Sequence, residues 1–243
     1  MVFPLYDDNP LKLPIKPIVT WSLIAANFAV FLIELAASNS ATQAMVENLG
    51  LTPAVLTGAG PAAEPAPVLT LVSYMFLHAG WMHIIGNMIF LEVFGDDIEE
   101  ALGRVRFLLF YFACGIVGGL VFVASAPGFQ GPLIGASGAI SGVVIAYVMF
   151  RPCAKVWVLF GLIPFHIRSF WVIGAFVLVQ IANLGEAGKS DVAYWCHLGG
   201  MMAGAVLFPL MRLPGVQLFE CVAHPHYPRE QVAAQPIDRN PGS

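Results

Sequence analysis

Charge is the scarcest commodity in this sequence. Only 11% of its 243 residues are Asp, Glu, Lys or Arg, against about 25% in an ordinary soluble domain. With 58% hydrophobic residues and a mean hydropathy of +0.78, so few charges cannot coat a surface facing water. Basic charge is short as well. Eleven Lys+Arg against fifteen Asp+Glu leave a net charge of -4, so there is no basic face for nucleic acid. The four cysteines (Cys114, Cys153, Cys196, Cys221) contain no C-x-x-C pair, which indicates neither a disulfide framework nor a zinc ribbon. No H-E-x-x-H occurs, which excludes the usual zinc protease site. Asp96 and Asp97 are adjacent at the edge of a span, so a pair of intramembrane aspartates is missing too. An internal repeat is also lacking, and with it the usual sign of an inverted-repeat transporter. What remains is an integral membrane protein.

A span needs about 20 mostly apolar residues, and six can be placed. They lie near residues 18–37, 82–96, 107–125, 137–150, 170–184 and 192–211. The first apolar run is longer than the ~7–15 residues of a signal peptide and reads as an uncleaved span. With the N-terminus inside, Lys12, Lys16, Arg104, Arg106, Arg151, Lys155, Arg168, Arg212, Arg229 and Arg239 fall on the cytoplasmic side and Lys189 alone outside. By the positive-inside rule both termini are cytoplasmic. The expected organisation is a cytoplasmic segment 1–17, an all-α bundle 18–212 with an external loop 38–81, and a polar, largely disordered tail 213–243. The Gly/Pro/Ala-rich middle of the loop (57–67) predicts irregular structure.

Strongly polar groups inside a bilayer are costly, so each is a functional hypothesis. They are His78, His83, Asn87, Glu92, Ser137, Ser141, Gln180, Asn183 and His197. Two of them share a depth. The fourth span, 137–150, is only about 21 Å long against a core of about 30 Å. Arg151 holds its inner end at the interface, so Ser137 opens the helix roughly 9 Å below the outer surface. The uncharged stretch ahead of it, 125–136, has three Gly and two Pro. Such backbone cannot face lipid and must line a wet cavity or pack in protein. On the sixth span, parallel to the fourth, His197 lies six residues beyond Asp191, about 9 Å down. Gly138/Gly142 on one span and Gly200/Gly204 on the other allow close approach.

A serine hydroxyl becomes a nucleophile when a base takes its proton, and neutral imidazole is the usual base. Asp191 faces the wrong side of its helix to join them, so the pattern is a dyad. The Ser137 amide opens a helix and points into the site. His83 and Asn87, at i and i+4 on the second span, add candidate oxyanion donors. Blander readings stand beside these. Ser137 can be an N-cap, His197 a packing histidine, and His83 and Asn87 interhelical contacts. Glu92, Gln180 and Asn183 read best as contacts between helices. Asp96, Asp97, Glu99 and Glu100 with Arg104 and Arg106 read as a structural corner, His166, His224 and His226 as solvated, and Cys196 as a small packing residue.

At this point the residues resemble a known family. Gly135-Ala136-Ser137-Gly138 and His197-Leu198-Gly199-Gly200 are similar to the signature of rhomboid intramembrane serine proteases. So are the segment 76–88, with His78, His83 and Asn87, and the link 100–107 into the third span. The similarity spans roughly residues 18–211. It implies a six-span rhomboid-like bundle with Ser137 as nucleophile, His197 as general base, His83 and Asn87 as oxyanion donors, and His78 at a water-filled entrance. It further implies cleavage of transmembrane protein substrates near their extracytoplasmic ends, without metal or cofactor, and a fifth span that serves as lateral gate. Some relatives carry an aromatic residue where Ser141 stands, stacked on the histidine, so the packing of His197 is expected to differ and can include a hydrogen bond from Ser141. Two other functions compete. One is a non-catalytic rhomboid-like factor that binds membrane proteins; the other is a small transporter. With a short N-terminus that has no Arg/Ser-rich transit segment, a bacterial inner membrane is the simplest expected location.

Overall fold

The computed structural model describes residues 2–7, 16–60, 67–160, 163–186, 193–219 and 221. A strand β1 (Val2–Asp7) precedes the long helix α1 (Ile18–Ala36). Three shorter helices follow: α2 (Asn39–Leu49), α3 (Pro53–Leu56) and α4 (Thr70–Ser73). The helices α5 (Trp81–Leu102), α6 (Arg104–Ser125) and α7 (Ser137–Phe150) then run back and forth. A hairpin of β2 (Lys155–Phe160) and β3 (Ile163–Arg168) leads into α8 (Ser169–Ala182), and α9 (Tyr194–Met211) closes the bundle.

Of the expected spans, α1, α6 and α9 are each long and apolar enough to cross a membrane. A fourth candidate joins residues 67–76 to α5 across an 84° bend. The helices α7 and α8 are apolar but only 14 residues long. Large apolar side chains also cover the outside of the bundle, among them Trp21, Leu32, Leu109, Leu178, Val206 and Leu210. A surface of this kind suits hydrocarbon and not water.

The stretch 38–81, expected to be an external loop, carries α2, α3 and α4, none of which falls in its Gly/Pro-rich middle, 57–67. Residues 61–66 of its Gly/Pro-rich middle lie outside the described residues, as does the tail 222–243. Two expectations are corrected. The fold is mostly helical, as expected, but not all-α: β1, β2 and β3 form an antiparallel sheet in that order, with Val2 opposite Phe160 and Lys155 opposite Arg168. Six-residue runs such as Lys155–Phe160 are β-branched and aromatic, but they vanish in a search for runs of about 20. Cys153 and Cys221 are disulfide-bonded, where the spacing of the cysteines indicated none. The chain after α9 folds back over the ends of α5 and α7, with the Leu213 amide donating to the Ala101 carbonyl and that of Phe219 to Met149. That return brings together two cysteines 68 residues apart.

The acidic corner of α5 has a specific structural task. Pro17 offers the N-terminus of α1 no side-chain cap, and the first turn has no acid. Glu99, 1% exposed, supplies both from another helix, accepting from the amides of Val19 and Thr20 and from Thr20 Oγ1 at 2.8–3.0 Å. A carboxylate there satisfies free N–H groups and meets the positive end of the helix dipole. The core of the bundle is α6, α7 and α9, filled by Phe110, Tyr111, Tyr147, Phe150 and Phe208. Glycine sets their spacing. A Cβ on Gly200 would run into the Gly138 carbonyl, and one on Gly204 into that of Gly142.

Candidate active site

The helix α7 begins and ends where its flanking residues dictate. Gly135, with φ +117, makes a turn that L side chains avoid, and α7 starts two residues later at Ser137. At the other end Pro152 disfavours helical geometry for Arg151, and α7 stops at Phe150. The Gly/Pro-rich approach to Ser137 packs in protein. Leu133 and Leu51 exchange backbone hydrogen bonds of 2.9 and 3.0 Å, Phe129 O accepts from Ala54 N, and the Gly135 amide donates to Tyr74 O at 2.8 Å. The backbone of an uncharged loop is thereby paired as an apolar setting demands.

Ser137 and His197 meet. Nε2 of His197 lies 2.7 Å from Ser137 Oγ, with His197 8% exposed and Ser137 half-buried. Backbone contact across the glycine seam sets this distance, because α7 and α9 touch through Gly138, Gly142, Gly200 and Gly204. The other imidazole nitrogen, Nδ1, lies 2.8 Å from Oε1 of Gln180 on α8.

His83 and Asn87 face the same approach. A Cβ built on Gly135 would lie 2.7 Å from His83 Nε2 and 3.9 Å from Asn87 Nδ2. His83 Nδ1 accepts from the Ala79 amide at 3.4 Å, so the neutral ring carries its hydrogen on Nε2, as a donor. The Asn87 amide donates to His83 O at 3.1 Å and retains a second N–H. His78 is buried, its ring 5.0 Å edge-on to that of His83 and its amide 3.3 Å from Glu34 Oε2.

The remaining polar residues divide. Ser141 donates to Ser137 O at 2.8 Å and not to His197. Asn183 bonds to Val179 O of its own helix and Glu92 is exposed, so among the described residues neither joins two helices as expected. Gln180 does join two helices, and its partner is the imidazole. Cys196 is buried against Tyr74 Oη at 3.5 Å, in keeping with a packing role. Among the described residues no group of three or more His, Cys, Asp or Glu is placed to hold a metal ion. Two participants escaped the sequence reading. Tyr74, which donates to Gly115 O at 2.7 Å while its carbonyl holds Gly135, had no signal beyond being aromatic. Glu34 had one: an acid at the end of an apolar helix.

A family model described as the rhomboid domain matches residues 65–213, more than half of the chain. Among similar proteins is RHOMBOID-like protein 1 of Arabidopsis thaliana, 28% identical over 83% of this chain and 54% of its own length. RHOMBOID-like protein 12, mitochondrial, of the same plant is 30% identical over 59% of this chain and 46% of its own. YdcA of Bacillus subtilis, provisionally named a rhomboid protease, is 37% identical over 56% of this chain and 64% of its own. The chain spans about half the length of the curated relatives it matches.

Proposed function

The chain belongs to the rhomboid family, and we propose that it works as an intramembrane serine endopeptidase. Its substrates are transmembrane segments of other membrane proteins, cut near their extracytoplasmic ends. The observation that carries this reading is the 2.7 Å contact between Ser137 Oγ and His197 Nε2 at the start of a short apolar helix.

Each group has a task in acyl transfer. His197 takes the Ser137 proton as Oγ attacks the scissile carbonyl. The electron pair moves onto the carbonyl oxygen, where the Ser137 amide, His83 Nε2–H and the Asn87 amide donate. The imidazolium then protonates the leaving amine, and a water molecule releases the acyl group by the same route. Six spans with both termini in the cytoplasm would present this site to the outer half of the bilayer. We place the protein in a bacterial inner membrane as a multi-pass protein. A non-catalytic rhomboid-like binding factor would need the fold and not the pair, and the joined Ser137 and His197 favour the enzyme.

The test is cleavage of a single-pass model substrate in liposomes by the full chain and by Ser137→Ala. The proposal expects the variant to fold, to bind the substrate and to cleave none of it. Undiminished cleavage by Ser137→Ala would overturn it, and binding without cleavage by both proteins would favour the non-catalytic factor.

A further inference from the structure

If His197 Nε2 is to accept the serine proton, the neutral ring must carry its hydrogen on Nδ1. That buried N–H then needs an acceptor. Nδ1 meets Oε1 of Gln180 at 2.8 Å. Gln180 is itself out of place on α8. That helix buries only Ser169, Ile173 and Gln180, while Trp171, Leu178, Val179 and Ile181 turn outward. A glutamine that is 5% exposed amid apolar neighbours is costly unless its amide is satisfied.

We propose that Gln180 is a positioning residue for this reaction, its amide oxygen holding His197 with hydrogen on Nδ1 and with Nε2 aimed at Ser137. The inference rests on the serine–histidine reading of the site. Flipping the amide would set an N–H against Nδ1–H, so only one orientation of Gln180 is compatible with a basic Nε2. Gln180 neither gains nor loses a proton. As Nε2 takes the serine hydrogen, the Nδ1–H···Oε1 bond acquires a charged donor and strengthens, and it relaxes when Nε2 passes that hydrogen to the leaving amine. A neutral amide orients the ring without burying an anion in the bilayer, where a carboxylate would be costly. Because Gln180 is on α8 and the imidazole on α9, a displacement of α8 relative to α9 would release the imidazole.

Two substitutions test this in the full chain in liposomes. Gln180→Met keeps length and bulk without the acceptor, and Gln180→Glu keeps an acceptor and adds charge. The proposal expects Gln180→Met to lower kcat about 10- to 100-fold, the worth of one buried hydrogen bond, with KM within about twofold. Gln180→Glu should be the more active of the two. Its carboxylate stabilises imidazolium, so the acid limb of the kcat/KM profile should move to higher pH by about one unit. Wild-type kcat in Gln180→Met, or a wild-type pH profile in Gln180→Glu, would overturn the proposal. If Gln180→Met fails to fold, the pH profile of Gln180→Glu decides alone. Ser137→Ala, assayed alongside, separates the two claims. Cleavage by that variant removes the serine reading and Gln180 with it, whereas an inactive Ser137→Ala beside a fully active Gln180→Met removes Gln180 alone.

Discussion

The two helices that flank His197 are attached to the molecule in different ways. On one side α9 and α7 touch backbone to backbone, through glycines whose replacement would drive a Cβ into a facing carbonyl. On the other, α8 fully buries only three side chains, rests Val172, Phe176 and Val177 partly buried against the core, and turns Trp171, Leu178, Val179 and Ile181 outward. The nucleophile and the base lie across the tight contact, and the amide that orients the base lies across the loose one. Reach and aim are thus held separately: the separation of Ser137 and His197 by main-chain packing that cannot adapt, and the rotation of the imidazole by one hydrogen bond from a helix that can shift.

The strongest way to break this contrast is to wedge the tight side. Gly200→Leu should push α9 away from α7, cost about 3 kcal/mol through overpacking and abolish cleavage, measured by thermal unfolding in detergent and by substrate turnover. Normal activity would show that the seam does not set the site. A smaller effect is expected from the Cys153–Cys221 bridge, which ties the end of α7 to the chain beyond α9. Cys153→Ser should lower stability by at most about 4 kcal/mol, the chain-entropy limit for a loop of that order. Turnover should hold at temperatures where the protein stays folded, because the glycine seam and the aromatic core keep the two helices together without the bridge. The smallest effect belongs to the loose side. Nothing lies within 4 Å of a Cβ built on Gly174 of α8, so Gly174→Ala should leave turnover unchanged and raise stability by at most about 1 kcal/mol. A loss there comparable with that of Gly200→Leu would erase the distinction between the two helices.

Much of the candidate site was legible because depth and helix ends are one-dimensional quantities. Gly135 ahead of Ser137 and Arg151-Pro152 behind it delimit α7; the count that set His197 level with Ser137 starts from Asp191, outside the described residues, while α9 begins at Tyr194 with His197 in its first turn. The glycine pairs show which helices can approach. The role of Gln180 was not legible in the same way. Helical periodicity assigns faces within a helix, but not the rotation of one helix against another, so Gln180 read only as a contact of unknown partner. Asn183, three residues on, carried the same signal and bonds to its own helix. The sheet was lost among apolar runs that its six-residue strands resemble, and the Cys153–Cys221 pairing depends on a chain reversal after α9 that no spacing rule encodes.

The central claim is that one hydroxyl in this bundle is made nucleophilic by one imidazole. The most direct measurement is reaction of the full chain with a fluorophosphonate, followed by peptide mapping of the adduct in the wild type and in His197→Ala. The account predicts a single adduct on Ser137 that is absent when His197 is replaced. Labelling of a different serine, or labelling of Ser137 that persists at the same rate in His197→Ala, would contradict it.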